Sequence, residues 1–413
     1  MESAELGGKI GILGGGQLAR MLVLAAQAMG FETVVLATSA SEPAAQVCRN
    51  AIYGPWENPE VLARFLSQCP VILFENEFIR TEALEVAASK LARPPRFRPS
   101  LAAIREMQNK LRQKRLLKRL GVATAETIAF SGIHGPQEIK EWIDSVRKHF
   151  SGALVLKWAE LGYDGKGTWI APESWTRKTA GEAADFVHLA LSQGVEVFAE
   201  QKIRFRRELA IVGCASISGE FKAFPLVITE QAKGICRRVL GPASAFGISA
   251  ELEEQAVLAA QSIARELPLH GCFAIEFFET ENGELLVNEL APRVHNSGHV
   301  TQNACATSQF ENHIRAALGI SLGDTKASVA AFGMLNFIGT ELTVNFNGGL
   351  ALEAGLAFPP VPEGAHFHWY GKTELRLGRK MGHWNLVASS IAELHERLDQ
   401  LEGDLQEWPK KKV

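Results

Sequence analysis

Paired cysteines are missing from this sequence. The six cysteines (Cys48, Cys69, Cys214, Cys236, Cys272 and Cys305) never fall into a CxxC spacing, so neither a zinc site nor a disulfide framework is signalled, and a reducing cytoplasm fits best. Long apolar runs are missing too. The stretch "KIGILGGGQLARMLVLAAQAMG" is broken by three glycines, Gln17 and Arg20, and no run approaches the ~20 apolar residues of a membrane span; it reads as folded protein. Nor is there an excess of one charge: a formal net charge of -3 over 413 residues excludes an overall attraction to nucleic acid or an acidic membrane and makes any basic site local. Internal repeats and low-complexity tracts are also absent. What remains is a chain long enough, and at 46% hydrophobic residues apolar enough, for two or three domains with substantial cores.

The first domain reads as doubly wound. Lys9 to Leu13 is a short apolar strand, Gly14-Gly15-Gly16 a turn, Gln17 to Met29 a helix and "ETVVLAT" a second strand, which makes a β-α-β unit. "CPVILFENEF" is a later strand of the same sheet, ending in Glu75 and Glu77 where such sheets place their ligands. The proline-rich "RPPRFRPS" at 93–100 closes the domain, because prolines resist continuation of helix or sheet. One basic helix, "REMQNKLRQKRLLKRLG", is expected next, with Leu116, Leu117 and Leu120 as its apolar stripe and most of its cations solvated. From 153 the pattern becomes β-rich, and "GCFAIEFFETENGELLVNELAPR" reads as a hairpin turning at Glu281-Asn282-Gly283. A further segment begins near 325 and ends in a helix around 390–402.

Five constellations carry chemistry. "GGGQL" follows a strand and opens a helix, so it fits either a phosphate-binding helix N-terminus or a plain tight turn; the GxGxxG spacing is absent. In "KWAELGYDGKGTWI", turn geometry accounts for Gly162, Gly165 and Gly167 but not for Asp164 and Lys166. Glu276 and Glu289, with Asn288 beside the latter, lie on the paired strands of the hairpin. Two carboxylates and an amide there suit Mg²⁺; a solvated strand face is the plainer reading, set against the cost of unpaired charge in apolar strands. "APRVHNSGH" packs Arg293, His295, Asn296, Ser297 and His299 into one loop that can grip an anion, although each histidine alone would be unremarkable. "YGKTELRLGRKMGH" places Lys372, Arg376, Arg379 and Lys380 among glycines, fitting a basic edge strand or a phosphate contact.

Together these residues resemble the ATP-grasp enzymes and, among them, the N5-carboxyaminoimidazole ribonucleotide synthetases of purine biosynthesis. The similarity runs from about Lys9 to His383 through "GILGGGQLARM", "GYDGKG", "NELAPRVHNSGH", "TSQFENHIRA" and "GRKMGH". The resemblance implies a mixed α/β and α+β chain of three domains: a Rossmann-like N-terminal domain (1–108), a central ATP-grasp domain with a lid (109–324) and a small C-terminal domain (325–413). It implies ATP and Mg²⁺ as cofactors. Lys110 and Lys157 would contact ATP phosphates, Gly162, Tyr163, Gly165 and Gly167 would form the lid over them, and Glu200-Gln201-Lys202-Ile203 would be the adenine hinge. Glu208 would hold the ribose, Gln231 would still donate to ATP, and Glu276 and Glu289 would ligate Mg²⁺ with Asn288 nearby. The implied reaction joins bicarbonate to the amine of 5-aminoimidazole ribonucleotide. Arg293 and Asn296 would bind bicarbonate or carboxyphosphate, with Asp164 handling the amine proton and Lys166 steadying the anion. Gly16, Gln17, Glu75, Lys372 and Arg379 would bind the ribonucleotide. A cytoplasmic homodimer is implied, with small-molecule substrates and neither nucleic acid nor membrane as partner. The chain departs from the family pattern at Thr229 and Gln231, where Asn and His are usual, at Lys110 (arginine is common) and at Val294 (often proline). A ligase for another amine and a non-catalytic nucleotide-binding homologue are the alternatives.

Overall fold

The structure is a computed structural model and describes residues 8–132, 135–162, 167–232, 234–339, 359–406 and 408. Its first unit is the doubly wound sheet. Strands β1 (Lys9–Leu13), β2 (Glu32–Ala37), β3 (Asn50–Tyr53), β4 (Val71–Phe74) and β5 (Arg96–Arg98) are all parallel, in the order β3-β2-β1-β4-β5. Helix α1 (Gln17–Ala28) buries Leu18, Ala19, Leu22, Val23 and Ala26, while α2 (Pro59–Leu66) and α3 (Thr81–Ser89) pack against each other. The proline-flanked "RFR" therefore adds a strand instead of only ending the domain. Its place at the sheet edge is where prolines on either side leave the ladder undamaged.

The expected single basic helix is two. α4 (Leu101–Met107) stops, and α5 (Lys110–Arg119) restarts at Asn109, whose side chain accepts from the Arg112 N–H at 3.0 Å. The Asn109 amide also donates to Glu160 at 2.8 Å and Glu196 at 3.2 Å, so the break ties the new helix to the chain beyond Lys157. Leu116 and Leu117 are fully buried as expected. Lys114 is not solvated: its side chain is only 4% exposed.

A four-stranded sheet follows, ordered β6-β9-β7-β8, from β6 (Thr127–Ala129), β7 (Leu154–Trp158), β8 (Thr168–Ile170) and β9 (Val197–Gln201), packed with α6 (Pro136–His149) and α7 (Arg177–Ser192). Three residues after β9 the chain enters a nine-stranded sheet. This contains β10 (Phe205–Ala215), β11 (Phe221–Ala223), β12 (Val227–Ala232) and β13 (Ile235–Gly241), then, beyond α8 (Ala250–Glu266), β14 (Gly271–Thr280) and β15 (Leu285–Ala291). The short α9 (Thr301–Ala304) and α10 (Gln309–Leu318) come next, then β16 (Ala331–Ile338), β17 (Ala365–Trp369), β18 (Lys380–Ala388) and α11 (Ile391–Gln406). The order is β15-β14-β10-β12-β13-β16-β18-β17, with β11 on β10. Strands beyond residue 325 thus continue the central sheet through β13 and β16. β18, which opens with Lys380, is interior, and the edge strand is β17.

Cys214 and Cys272 form a disulfide, contrary to the sequence expectation. They are directly opposed on antiparallel β10 and β14 with Cα atoms 4.1 Å apart, a proximity created by strand register that spacing along the chain cannot show. Among the described residues no helix is long and apolar enough to cross a membrane.

Candidate active site

The hairpin supplies the acidic centre. β14 and β15 turn at Gly283, whose φ of 80° suits glycine, and Glu276 and Glu289 are register partners. Phe277 pairs with Val287, so Asn288 is the extra residue of a bulge. The bulge explains how consecutive side chains serve one site: Asn288 Oδ1 accepts from Lys157 Nζ at 3.1 Å, while the Glu289 carboxylate pairs with Lys110. Burial, then the neighbouring Glu289 charge, pushes Glu276 up to about 7. Burial acts on Glu289 in the same sense, but Lys110, Lys157 and Arg293 outweigh it and hold Glu289 below the usual carboxylate range.

Behind the acidic pair runs a chain of lysines and Glu200. Lys157, in β7 opposite the base of the glycine loop, pairs with Glu200 Oε2 at 2.5 Å; Lys114 pairs with Glu200 Oε1 at 2.5 Å from the other side. Lys114 also donates to Thr124 Oγ1 at 2.7 Å and to the carbonyls of Asn288 (3.1 Å) and Val287 (3.3 Å). Burial brings its pKa down to about 8. Lys110 opens α5 and donates its backbone N–H to Ala159 O at 2.7 Å, which fixes the helix start beside the end of β7. Gln201 and Lys202 are exposed at the link between the two sheets, where a hinge would lie, and the backbone N–H of Lys202 reaches Ala153 O at 3.0 Å.

The "APRVHNSGH" loop is held from both ends of the chain. Arg293 makes a two-point ion pair with Glu77, Nε to Oε2 at 2.5 Å and Nη2 to Oε1 at 3.1 Å, and its Nη1 donates to Val294 O. Of five guanidinium N–H groups, one on each terminal nitrogen has no partner among the described residues. His295 Nδ1 accepts from the Ser297 N–H at 3.3 Å, which places the ring proton on Nε2, 3.4 Å from Glu276. Burial, with Arg293 and Lys380 nearby, lowers His295 to about 3, so the ring is neutral near pH 7. Gln309, at the start of α10, clamps the loop by accepting from the His295 N–H at 2.9 Å and donating to His295 O at 2.7 Å. Asn296 is paired with Asn336 of β16.

The glycine-rich turn is filled from within. Gly16 N–H donates to Glu75 Oε2 at 2.6 Å, and a Cβ at Gly16 would meet Glu75 Oε1 at 2.0 Å. A protein carboxylate therefore occupies the N-terminus of α1, where a phosphate was one of the two sequence readings. Burial raises Glu75 above the usual carboxylate range; the Gly16 and Ala19 N–H groups and, more weakly, Lys372 oppose that rise without cancelling it. Lys372 is itself buried, donates to Lys380 O at 2.6 Å, and follows Gly371, whose carbonyl accepts from Gln46 at 2.6 Å. The N-terminal sheet and the segment after β17 thus approach each other at Gln46–Gly371 and at Glu75 and Lys372, with Gly16 on the Glu75 carboxylate. Arg379 lies nearby in sequence, its Nη1 donating to Glu374 O at 3.0 Å.

Glu208 stands opposite Thr229 in the β10–β12 register, and burial raises it to about 7; Gln231, past a bulge, is exposed. Gly162 and Gly167 pinch the base of the glycine loop, since a Cβ at Gly167 would lie 3.1 Å from Gly162 Cα. Tyr163, Asp164, Gly165 and Lys166 lie outside the described residues. Sequence reading misses Lys114, Gln309 and Asn336; Glu77, flagged with Glu75 at a parallel strand's C-terminus, gains its partner Arg293 only in the fold.

Comparison with known proteins agrees with this architecture. Residues 8–105 match the ribonucleotide synthetase preATP-grasp domain, 115–310 the ATP-grasp domain and 333–397 the phosphoribosylaminoimidazole carboxylase C-terminal domain. The chain is 38% identical over 390 residues to the N5-carboxyaminoimidazole ribonucleotide synthase of Mycobacterium tuberculosis, covering 94% of this chain and 86% of that one. Identity to the enzyme of the same name from Synechococcus elongatus is 35% over 405 residues, 97% of this chain and 95% of that one. An ADP complex of an N5-carboxyaminoimidazole ribonucleotide synthetase superposes with a TM-score of 0.83 at 30% identity, covering 99% of this chain and 100% of that one. The Aspergillus clavatus synthase in complex with ADP and 5-aminoimidazole ribonucleotide superposes with a TM-score of 0.82 at 28% identity, covering 98% and 100%.

Proposed function

This chain belongs to the N5-carboxyaminoimidazole ribonucleotide synthase family, and from that premise we infer that it uses ATP to join bicarbonate to the amine of 5-aminoimidazole ribonucleotide in purine biosynthesis. The observation that carries the reading is the convergence of Lys110, Lys157, the Glu276–Glu289 pair and the Arg293–Asn296 loop on one centre. Bicarbonate is a poor electrophile. Transfer of the ATP γ-phosphoryl to one of its oxygens, with ADP leaving, makes carboxyphosphate; attack of the amine nitrogen on the carboxyl carbon then expels inorganic phosphate.

We assign Lys110 and Lys157 the task of offsetting charge on the phosphates. The two remaining N–H groups of Arg293 and the amide of Asn296 are assigned the bicarbonate and carboxyphosphate oxygens, and neutral His295 donates from Nε2 without adding charge. On the motif alone, Asp164 takes the amine proton and Lys166 steadies the anion. We assign the ribonucleotide to the Gly16, Gln17, Glu75 and Lys372 group with Arg379, ATP to the Glu200–Ile203 link and Glu208, and the adjacent Gln231 to a nucleotide contact.

Two directly opposed carboxylates, one raised to about 7, are a donor set that a divalent cation would relieve. Mg²⁺ held by Glu276 and Glu289, with Asn288 beside them, would supply charge neutralisation to the phosphoryl group. The cytoplasm and a homodimer complete the reading.

Its test is phosphate release from ATP with ribonucleotide or bicarbonate left out in turn. Release that needs neither, with no carboxylated product, defeats the assignment. Formate replacing bicarbonate as the required co-substrate would point to a ligase of different specificity, and tight Mg-ATP binding without turnover to a non-catalytic homologue.

A further inference from the structure

Asn296 and Asn336 join side chain to side chain in both directions: Asn296 Nδ2 donates to Asn336 Oδ1 at 3.0 Å, and Asn336 Nδ2 donates to Asn296 Oδ1 at 2.8 Å. Such a pair has two equivalent arrangements, related by flipping both amides, unless something outside it distinguishes nitrogen from oxygen. Here something does. The second N–H of Asn336 donates to the Cys236 carbonyl at 3.0 Å, a partner that only a nitrogen can serve. The Cys236 carbonyl therefore sets the orientation of Asn336, and Asn336 sets that of Asn296.

Asn336 is 3% exposed, in the interior strand β16, and its amide hydrogens are both used. Asn296 is only partly buried and, among the described residues, keeps one N–H without a partner, on the loop that also carries Arg293 and His295. An unoriented amide would offer an oxygen to an anion about as readily as a donor, and a carboxylate or phosphate oxygen is repelled by the first and bound by the second.

We propose that Asn336 is a positioning residue that fixes the Asn296 amide so that its remaining N–H faces the bicarbonate-derived oxyanion. The C-terminal segment of the chain thereby contributes to anion selection without touching the anion. The proposal rests on the assignment of Asn296 to bicarbonate made above.

The test compares N336L, N336D, N296A and the N296A/N336L double variant of the full chain, with bicarbonate varied at saturating ATP and ribonucleotide. N336L, which removes both donors and the acceptor, raises the KM for bicarbonate about tenfold and leaves the KM values for ATP and ribonucleotide within about twofold. N336D keeps an acceptor for Asn296 Nδ2 and so shifts the bicarbonate KM less, although its buried carboxylate makes it the less stable variant by urea titration. That opposite ranking is what a purely structural role would not produce. The double variant is no worse than N296A alone, because the two residues act as one unit.

A raised bicarbonate KM in N296A with none in N336L or N336D overturns the positioning role and leaves the Asn296 assignment standing. No change in N296A itself overturns the assignment first. KM values that follow stability, or failure of both Asn336 variants to accumulate as folded protein, place Asn336 in the framework and overturn the proposal.

Discussion

Glu200 Oε2 lies 2.5 Å from Lys157 Nζ, deep enough that the carboxylate side chain is only 4% exposed, and the same carboxylate meets Lys114 at 2.5 Å on its other oxygen. One buried anion thus holds a buried cation, Lys114, and a partly buried one, Lys157. Breaking such a group from one side leaves charge without a partner, which typically costs ~3–5 kcal/mol. Glu200→Gln is expected to lose stability of that order in urea titration and to weaken ATP binding by calorimetry, because Lys157 no longer has its anchor. Adding Lys114→Met to that variant removes one unpaired cation and restores part of the stability. Equal midpoints for the wild type and Glu200→Gln would show that the lysines are held by other means.

The two-point pair of Arg293 with Glu77 is a second anchor, spanning 216 residues. Arg293→Lys keeps the charge but not the fork, so the cation can satisfy Glu77 or the anion, not both in the present geometry. The kcat/KM for bicarbonate is expected to fall by about 10²-fold or more, with the ATP dissociation constant unchanged by calorimetry. A parallel fall in ATP affinity would mean that Arg293 serves the nucleotide instead.

What was legible in the sequence was local. Glu276 and Glu289 are joined by one hairpin whose turn residues are visible, and Lys157 stands next to its glycine loop. What was not legible depends on contacts between distant segments. Lys114 looked like one more solvated cation of a basic helix, and only the fold brings Glu200 to it. Asn336 sits inside an apolar strand with no sign that Asn296, 40 residues earlier, is its partner. The Cys214–Cys272 bond follows from register alone. Asn109 could have been read: an asparagine within a helical pattern is a possible N-cap, and the strong cationic run around it concealed the break.

The acidic pair predicts an asymmetry. Without metal, Glu276→Gln removes a like charge opposite Glu289, so its Tm is expected to hold or rise by a few degrees. Glu289→Gln strands Lys110 and lowers Tm. With ATP present, both variants need about tenfold more Mg²⁺ or more for half-maximal turnover, as loss of one of two carboxylate ligands would require. Differential scanning calorimetry with EDTA and a Mg²⁺ titration of activity check the two halves separately. An unchanged Mg²⁺ requirement would remove Glu276 and Glu289 from the metal site while leaving the electrostatic half of the prediction in place.

Acid stability should be governed in part by histidines kept neutral. His313 is fully buried, its Nδ1 accepts from the Cys272 N–H at 3.0 Å, and burial lowers its pKa to about 4; burial, then His366, does the same for His368, to about 4. In the unfolded chain both titrate near ~6.5. Above that pH neither state is protonated and these groups contribute no slope. Between ~6.5 and ~4 the unfolded chain takes up protons that the folded chain refuses, so the unfolded state gains free energy as pH falls and stability declines by up to ~1.4 kcal/mol per pH unit for each histidine. His313→Gln, which can still offer an oxygen to the Cys272 N–H, is expected to be less stable at pH 7.5 because its packing is imperfect. It should also lose stability less steeply between pH 6.5 and 4, so the two urea-midpoint curves converge on the acid side. Parallel curves would mean that His313 is protonated in the folded protein, contrary to its buried position.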